Sequence, residues 1–333
     1  MSGLTPRSIP LPAFVPRAWF RNGHVMTFGA WRRTRQYPGL PEADSRRFKT
    51  TSDTTVSANA YWQQDRTGAP TLIALHGLEG SIESHYMRGL ACEAWRLGWN
   101  AVLLNQRNCG GTEHLTPTLY HSGLTHDPFE VLKQLHAEGL QDFGVVGYSL
   151  GGNLTLRMAG ELATDPARAG LPLRAVAAVS PTIDLEACIR EIERPVCAVY
   201  QWHFMRNLRA RMRRKAAHWP GRYDLSRLAG LRTIRQFDNT YTAPHAGFGT
   251  AENYYYQVSS MRLIDKVRIP TLIIGSEDDP FEPAEQFRRP EVTGNPNVRV
   301  LLSPSGGHCG FLSAEGYYAE STALKFLSAF TTS

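Results

Sequence analysis

Six short apolar runs recur along the chain, at residues 71–75, 100–105, 143–147, 174–179, 271–274 and 298–302, each bounded by turn-forming residues. Continuous runs of this length suit parallel strands buried on both faces. Between them the period changes. Residues 84–97 set Tyr86, Leu90, Ala91, Ala94 and Trp95 along one helical face. Residues 127–135 open with Asp127 as N-cap, Pro128 at the first helical position and Glu130 three residues on. Strands alternating with helices predict an α/β fold with a mostly parallel, doubly wound sheet flanked by helices. Ahead of these units, residues 46–62 alternate with period two and break at Thr51-Ser52-Asp53, which predicts an antiparallel hairpin.

The alternation stops after Pro181 and resumes only near Val267. The interval holds many of the aromatics (Tyr200, Trp202, Trp219, Tyr254, Tyr255, Tyr256) and no convincing buried strand. It reads as a helical cap, residues 183–262, inserted before the strand that begins at Thr271. The core is then 46–182 together with 263–333, and 1–45 form a Pro- and Arg-rich arm packed on its outside. A cap so placed covers the carboxyl edge of the sheet, where ligands of open α/β sheets bind.

Composition sharpens this only in places. A chain of 333 residues suits one large α/β domain with an insertion. No apolar stretch reaches 18 residues and the first twenty carry no signal-peptide pattern, so a soluble, cytoplasmic protein is expected. The five cysteines (Cys92, Cys109, Cys188, Cys197, Cys309) are odd in number and lack a Cys-x-x-Cys pair, which reads as reduced thiols. The formal charge of +6 is local: seven basic residues and no acidic one lie between Arg206 and Arg222, leaving 29 basic against 30 acidic elsewhere. Such a segment is expected to be a solvated helix face, open to weak contact with an anionic membrane, with no nucleic acid as partner.

The candidate chemistry begins where residues 143–147 run into Tyr148-Ser149-Leu150-Gly151-Gly152-Asn153. Gly147-x-Ser149-x-Gly151 between a strand and a helix is a nucleophile elbow, which holds the serine hydroxyl at a helix N-terminus. An activated serine needs a base, and the base an acid to orient it. Chain order on this fold is Ser, acid, His. His308 in Ser305-Gly306-Gly307-His308-Cys309 alone follows a core strand, whereas His203 and His218 fall in the basic insertion. The acid must follow residues 271–274, where Glu277-Asp278-Asp279-Pro280-Phe281-Glu282 offers Asp279 before a turn-fixing proline, with Asp278 as second choice; Glu277 and Glu282 are expected at the surface. Oxyanion donors are expected from the backbone of Leu150 and, in His76-Gly77-Leu78-Glu79-Gly80, of Leu78; His76 reads as structural. Neither the acidic run nor Glu113, His114, His121, His126 and Asp127 has metal-ligand spacing. No metal and no cofactor is expected, and those histidines should bond loop backbone.

Together with Asn22-Gly23-His24, Asn105-Gln106-Arg107-Asn108-Cys109-Gly110-Gly111-Thr112, Phe237-Asp238 and Asn253-Tyr254-Tyr255, these motifs span nearly the whole chain, which resembles the YheT-like α/β-hydrolases, relatives of yeast medium-chain ethyl ester synthase/esterases and mammalian abhydrolase-domain lipases. The resemblance implies an α/β-hydrolase fold and a carboxylesterase or acyl-ester lipase, with Ser149, Asp279 and His308 at the triad positions. The expected activity is serine-esterase cleavage of small-molecule short- to medium-chain acyl esters. Lipase or phospholipase action at an anionic surface and acyl transfer to alcohols are the alternatives. A basic binding module and a non-catalytic scaffold are the readings from other classes.

Overall fold

The computed structural model describes residues 4–331; residues 1–3 of the arm and 332–333 of the core lie outside the described residues. One eight-stranded sheet runs in the order β1-β2-β4-β3-β5-β6-β7-β8. Asp44–Thr51 (β1) and Thr54–Tyr61 (β2) form the expected hairpin, and β2 pairs antiparallel with Asn100–Leu104 (β4). Thr71–Leu75 (β3), Phe143–Tyr148 (β5), Leu173–Val179 (β6), Thr271–Ser276 (β7) and Val298–Ser303 (β8) continue it in parallel. The expected apolar runs are these strands. Apart from exposed Arg174 near the start of β6, only β8 departs from burial on both faces, as the edge strand with a neighbour on one side alone.

Helices cover both faces. Alternate residues of β3 show the division: Ile73 and Leu75 pack with Leu132, Leu135 and Leu154, whereas Leu72 and Ala74 pack with Leu90, Ala94 and Leu324. The first set comes from His126–Ala137 (α3) and Leu150–Thr164 (α4), the second from His85–Arg96 (α2) and the C-terminal helix Tyr318–Ser328. Helix α3 starts before the expected Asp127. Thr125 occupies the N-cap position, because the Asp127 carboxylate is taken by Arg107, with contacts of 2.6 and 2.7 Å.

The arm contains a helix, Gly23–Arg32 (α1), capped by Asn22, whose side chain accepts from His24 and Val25 N–H. Its Met26 and Ala30 are buried. Between β6 and β7 run Leu185–Ile192 (α5), the long Ala198–His218 (α6), Ile234–Phe237 (α7), a π-turn over Asp238–Thr242, Ala243–His245 (α8) and Ala251–Val258 (α9). They share an apolar cluster that includes Ile189, Leu208, Phe237 and Tyr255. Pro290–Thr293 (α10) precedes β8, and Tyr318–Ser328 is α11. Among the described residues no helix is long and apolar enough to cross a membrane.

Candidate active site

After β3 the chain adds β4 on one side of it and later β5 on the other, so the loops after β3 and β5 diverge over a crevice at the strands' carboxyl ends. Ser149 occupies the turn from β5 into α4 with φ 53° and ψ −117°, and its N–H donates to Val179 O at 2.9 Å. A non-glycine residue at positive φ is strained. The neighbouring glycines permit it: a Cβ on Gly147 would lie 2.1 Å from Gly151 O, and one on Gly151 would lie 2.4 Å from Leu75 O. Glycine is therefore a steric necessity at two of the elbow's three letters, Gly147 and Gly151, and the third, Ser149, bears the strain.

The loop after β7 brings Asp279 to His308. His308 Nδ1 lies 3.0 Å from Asp279 Oδ2 and 3.2 Å from Oδ1, and the Asp279 side chain is 1% exposed. Asp279 Oδ1 also accepts from the N–H groups of Phe281 and Glu282. A carboxylate only accepts, so Nδ1 carries the proton and Nε2 is left as the basic nitrogen. Burial opposes a charge on His308, but Asp279 and then Cys309 more than offset it and raise its pKa well above the ordinary value. Asp278 turns elsewhere: its Oδ1 accepts from Gly307 N–H at 2.9 Å, bracing the loop that carries His308.

Ser149, His308, Leu78 and Phe281 line two cavities that meet at the serine. The inner one, about 70 Å³, runs under the helices between β6 and β7 past Leu150, Ile189 and Leu208. The outer one, about 510 Å³, opens between α1 and α6 beside Phe28, Trp31 and Trp202. Leu78 follows Gly77, whose absent Cβ would lie 3.1 Å from Ser149 Cβ, so the loop after β3 passes directly over the serine. His76 is buried beneath that loop. Its Nδ1 meets Gly77 O at 2.8 Å and its Nε2 accepts from Gln106 N–H, while burial lowers its pKa to about 4, leaving it a neutral structural group.

Several residues near the site differ from expectation or were missed. Glu277 is exposed and paired with Arg288, but Glu282 is buried, accepting from Thr182 Oγ1 at 2.9 Å and Gln286 Nε2 at 3.0 Å with Cys188 Sγ 2.5 Å away. Burial, and then the charge of Asp279, pushes its pKa up to about 7. The reason for the difference is Pro280-Phe281: Phe281 anchors in the helical cluster and turns the next residue inward. From α1, Thr27 Oγ1 accepts from His308 N–H at 2.9 Å and donates to Gly23 O at 2.7 Å. The helical spacing after Asn22-Gly23-His24 was the available signal, masked by the proline and arginine around it.

The basic segment is not a uniformly solvated face. Arg206, Arg213 and Arg222 are exposed, but Arg211 and Lys215 are buried and Arg214 pairs with buried Glu113 at 2.7 Å. Lys215 Nζ donates to Glu113 O at 3.1 Å and to Thr116 O. The other acidic and histidine residues weighed for metal spacing engage the chain itself: Asp127 meets Arg107, His121 Nδ1 accepts from Gly123 N–H, His126 Nε2 meets Thr50 O, and the His114 ring lies 5.5 Å from that of His218.

The strand order, the elbow and the loops after β7 and β8 are those of one fold class, and sequence comparison agrees: residues 70–315 match the alpha/beta hydrolase fold family. The chain belongs to that family. It is similar to YheT of Escherichia coli (strain K12), which is named as an esterase, with 35% identity over 310 residues, 90% of this chain and 87% of that one. Phospholipase ABHD3 of Mus musculus is 29% identical over 257 residues, 76% of this chain and 61% of its own length, so this chain spans about three-fifths of that relative. Among solved structures, Pyrococcus furiosus esterase Pf2001 superposes with a TM-score of 0.58 over 97% of this chain and 100% of that one, at 16% identity, a likeness of fold alone.

Proposed function

We propose that the protein is a serine hydrolase that cleaves carboxylic esters through an acyl-enzyme, with Ser149 as nucleophile, His308 as base and Asp279 as its orienting acid. The observation that carries this reading is the His308–Asp279 pair at 3.0 Å, in cavities shared with a serine on a strained elbow. His308 Nε2 takes the Ser149 proton as Oγ attacks the ester carbonyl, and the N–H groups of Leu78 and Leu150 hold the oxyanion. The protonated His308 then gives its proton to the leaving alcohol. Water, deprotonated by the same nitrogen, attacks the acyl-enzyme and releases the acid. An alcohol in place of water gives transesterification.

In the same reading residues 183–262 act as a cap on a core of 46–182 and 263–333, with 1–45 as the arm, and short- to medium-chain acyl groups occupy the space beneath the cap. The names of the relatives, esterase and phospholipase, support an ester substrate. The five free cysteines fit a reducing compartment, and a cytoplasmic location belongs to the proposal. The test is fluorophosphonate labelling together with p-nitrophenyl ester hydrolysis, wild type against Ser149→Ala. Wild type should label and turn over, and the variant should do neither. Equal turnover by the two would refute the assignment.

One observation favours a second substrate class, lipid esters taken from an anionic surface. Trp31, Val199 and Trp202, each more than half exposed, rim the outer cavity, with Arg206 Cζ 5.8 Å from the Trp202 ring. Cosedimentation with phosphatidylserine vesicles but not phosphatidylcholine ones, weakened by salt, is the expected result; no sedimentation with either would exclude it.

A further inference from the structure

The basic segment of α6 presents Arg211, Arg214, Lys215 and Trp219 at helical spacings of three, four and eight, a stripe that in most packed helices would be apolar. This stripe faces two loops of the sheet. Arg214, Lys215 and Trp219 hold the chain around Glu113, where Trp219 Nε1 donates to Glu113 O at 2.9 Å. Arg211 reaches further, to the loop after β3. Its Nη1 lies 2.9 Å from Glu79 Oε1, with side-chain exposures of 11% and 8%, and donates to Cys109 Sγ at 3.6 Å.

Glu79 is the residue after Leu78 and has φ +57°, a left-handed conformation disfavoured for a residue with a side chain. The loop is also held by His76 Nδ1, 2.8 Å from Gly77 O, by Tyr86 OH, which accepts from Gly77 N–H at 3.1 Å, and by Gly80 N–H, which donates to Gly77 O at 3.1 Å. The Gly80-to-Gly77 bond closes a four-residue turn whose central peptide joins Leu78 to Glu79, with Glu79 at its strained third position. Beside the packing of Leu78 against the apolar clusters, the buried Arg211–Glu79 pair adds a side-chain hold on that turn, tying Glu79 to the long helix α6, whose Arg211 lines the inner cavity together with Leu78. Burial works against the charge of both partners: at Arg211, Glu79 and Cys109 more than offset it and raise the pKa, whereas at Glu79 burial outweighs the attraction of Arg211 and raises the carboxyl pKa above its ordinary value.

We infer that Arg211 and Glu79 are positioning residues for the oxyanion hole: the helix over the site holds the Leu78 N–H in place through this ion pair. The inference rests on the serine-hydrolase reading and gives the inward face of the basic segment a role in that site. It also separates the segment into two functions, because the outward cations Arg206, Arg213 and Arg222 take no part.

The test is a cycle of Arg211→Gln, Glu79→Gln and the double variant, with Arg211→Lys as the conservative change. Each is measured for kcat and KM on p-nitrophenyl butyrate, for inhibition by a trifluoromethyl ketone that forms an oxyanion adduct, and for melting temperature. A misaligned donor should lower kcat by roughly 10- to 100-fold with KM within about threefold. The ketone should weaken in parallel, the double variant should be no worse than the poorer single one, and lysine should restore part of kcat. The inference is overturned if KM rises while kcat and ketone affinity hold, if the two losses multiply, or if the variants melt earlier yet keep wild-type kcat. Ser149→Ala in the same series separates the two levels: full turnover by it sinks the hydrolase reading and the inference with it. An inactive Ser149→Ala beside an unaffected Arg211→Gln sinks the inference alone.

Discussion

Two adjacent aspartates divide their labour at the level of single atoms. Asp279 meets the imidazole and Asp278 meets a backbone N–H, so their amide variants should separate. Asp279→Asn removes the acceptor that fixes the tautomer and should lower kcat by about 10⁴-fold, while Asp278→Asn should stay within about tenfold of wild type. Equal losses in ester hydrolysis would contradict the assignment. Glu282 adds a pH dependence. Its folded pKa of about 7 exceeds the ordinary 4.5 because of burial and Asp279, so the folded state holds more protons than the unfolded one between those values. Stability from this group is therefore complete below about pH 4.5 and is lost as pH rises through 7, by an order-of-magnitude ceiling of about 3 kcal/mol. Glu282→Gln should flatten the fall in melting temperature between pH 5 and roughly 8; an unchanged slope in thermal scans would rule this out. The sequence made the acidic run visible, but not which of its members turns inward, because exposure there depends on where Phe281 finds its cluster.

The element that sequence reading undervalued is α1. A Cβ on its Gly23 would lie 1.7 Å from Asp278 O, and one on Gly307 would lie 2.5 Å from Gly23 O, so the helix start, the acid loop and the histidine loop are in backbone contact. Thr27 then supplies the bond to His308 N–H. Thr27→Val keeps the shape and removes that acceptor; kcat should fall roughly 3- to 10-fold, and stability by about 1 kcal/mol in urea denaturation. Wild-type kcat in a variant of lowered stability would make α1 a structural brace only. The strands were legible because burial on two faces leaves a continuous apolar run, and the elbow because glycine is needed at close backbone approach. Helix α1 was not, since one buried methionine and one alanine are a weak periodic signal. Nor was the split of the basic segment. Arg211 and Lys215 are buried by carboxylates and carbonyls distant in sequence, which no local pattern encodes.

At the scale of the whole molecule, the site lies where three layers converge: the sheet edge supplies Ser149 and His308, α1 closes one side, and the helices between β6 and β7 roof the rest. Two unequal cavities result, and which one takes the acyl chain decides specificity. The inner cavity is smaller, is bounded by fixed side chains of α5 and α6, and extends toward apolar Ile189 and Leu208. Assigning it to the acyl group leaves the larger, open outer cavity for the alcohol, whose size is then less restricted. Leu208 lines the inner cavity and not the outer, so Leu208→Ala should shift the preferred p-nitrophenyl ester toward longer acyl chains. The change in kcat/KM ratio should be roughly tenfold or more per added methylene until the new space is filled. The variant should also lose about 2 to 5 kcal/mol of stability, because Leu208 is 2% exposed in the helical cluster. A destabilised variant with the wild-type chain-length profile would put the acyl group in the outer cavity instead, and a shifted alcohol preference with an unshifted acyl one would reverse the assignment outright.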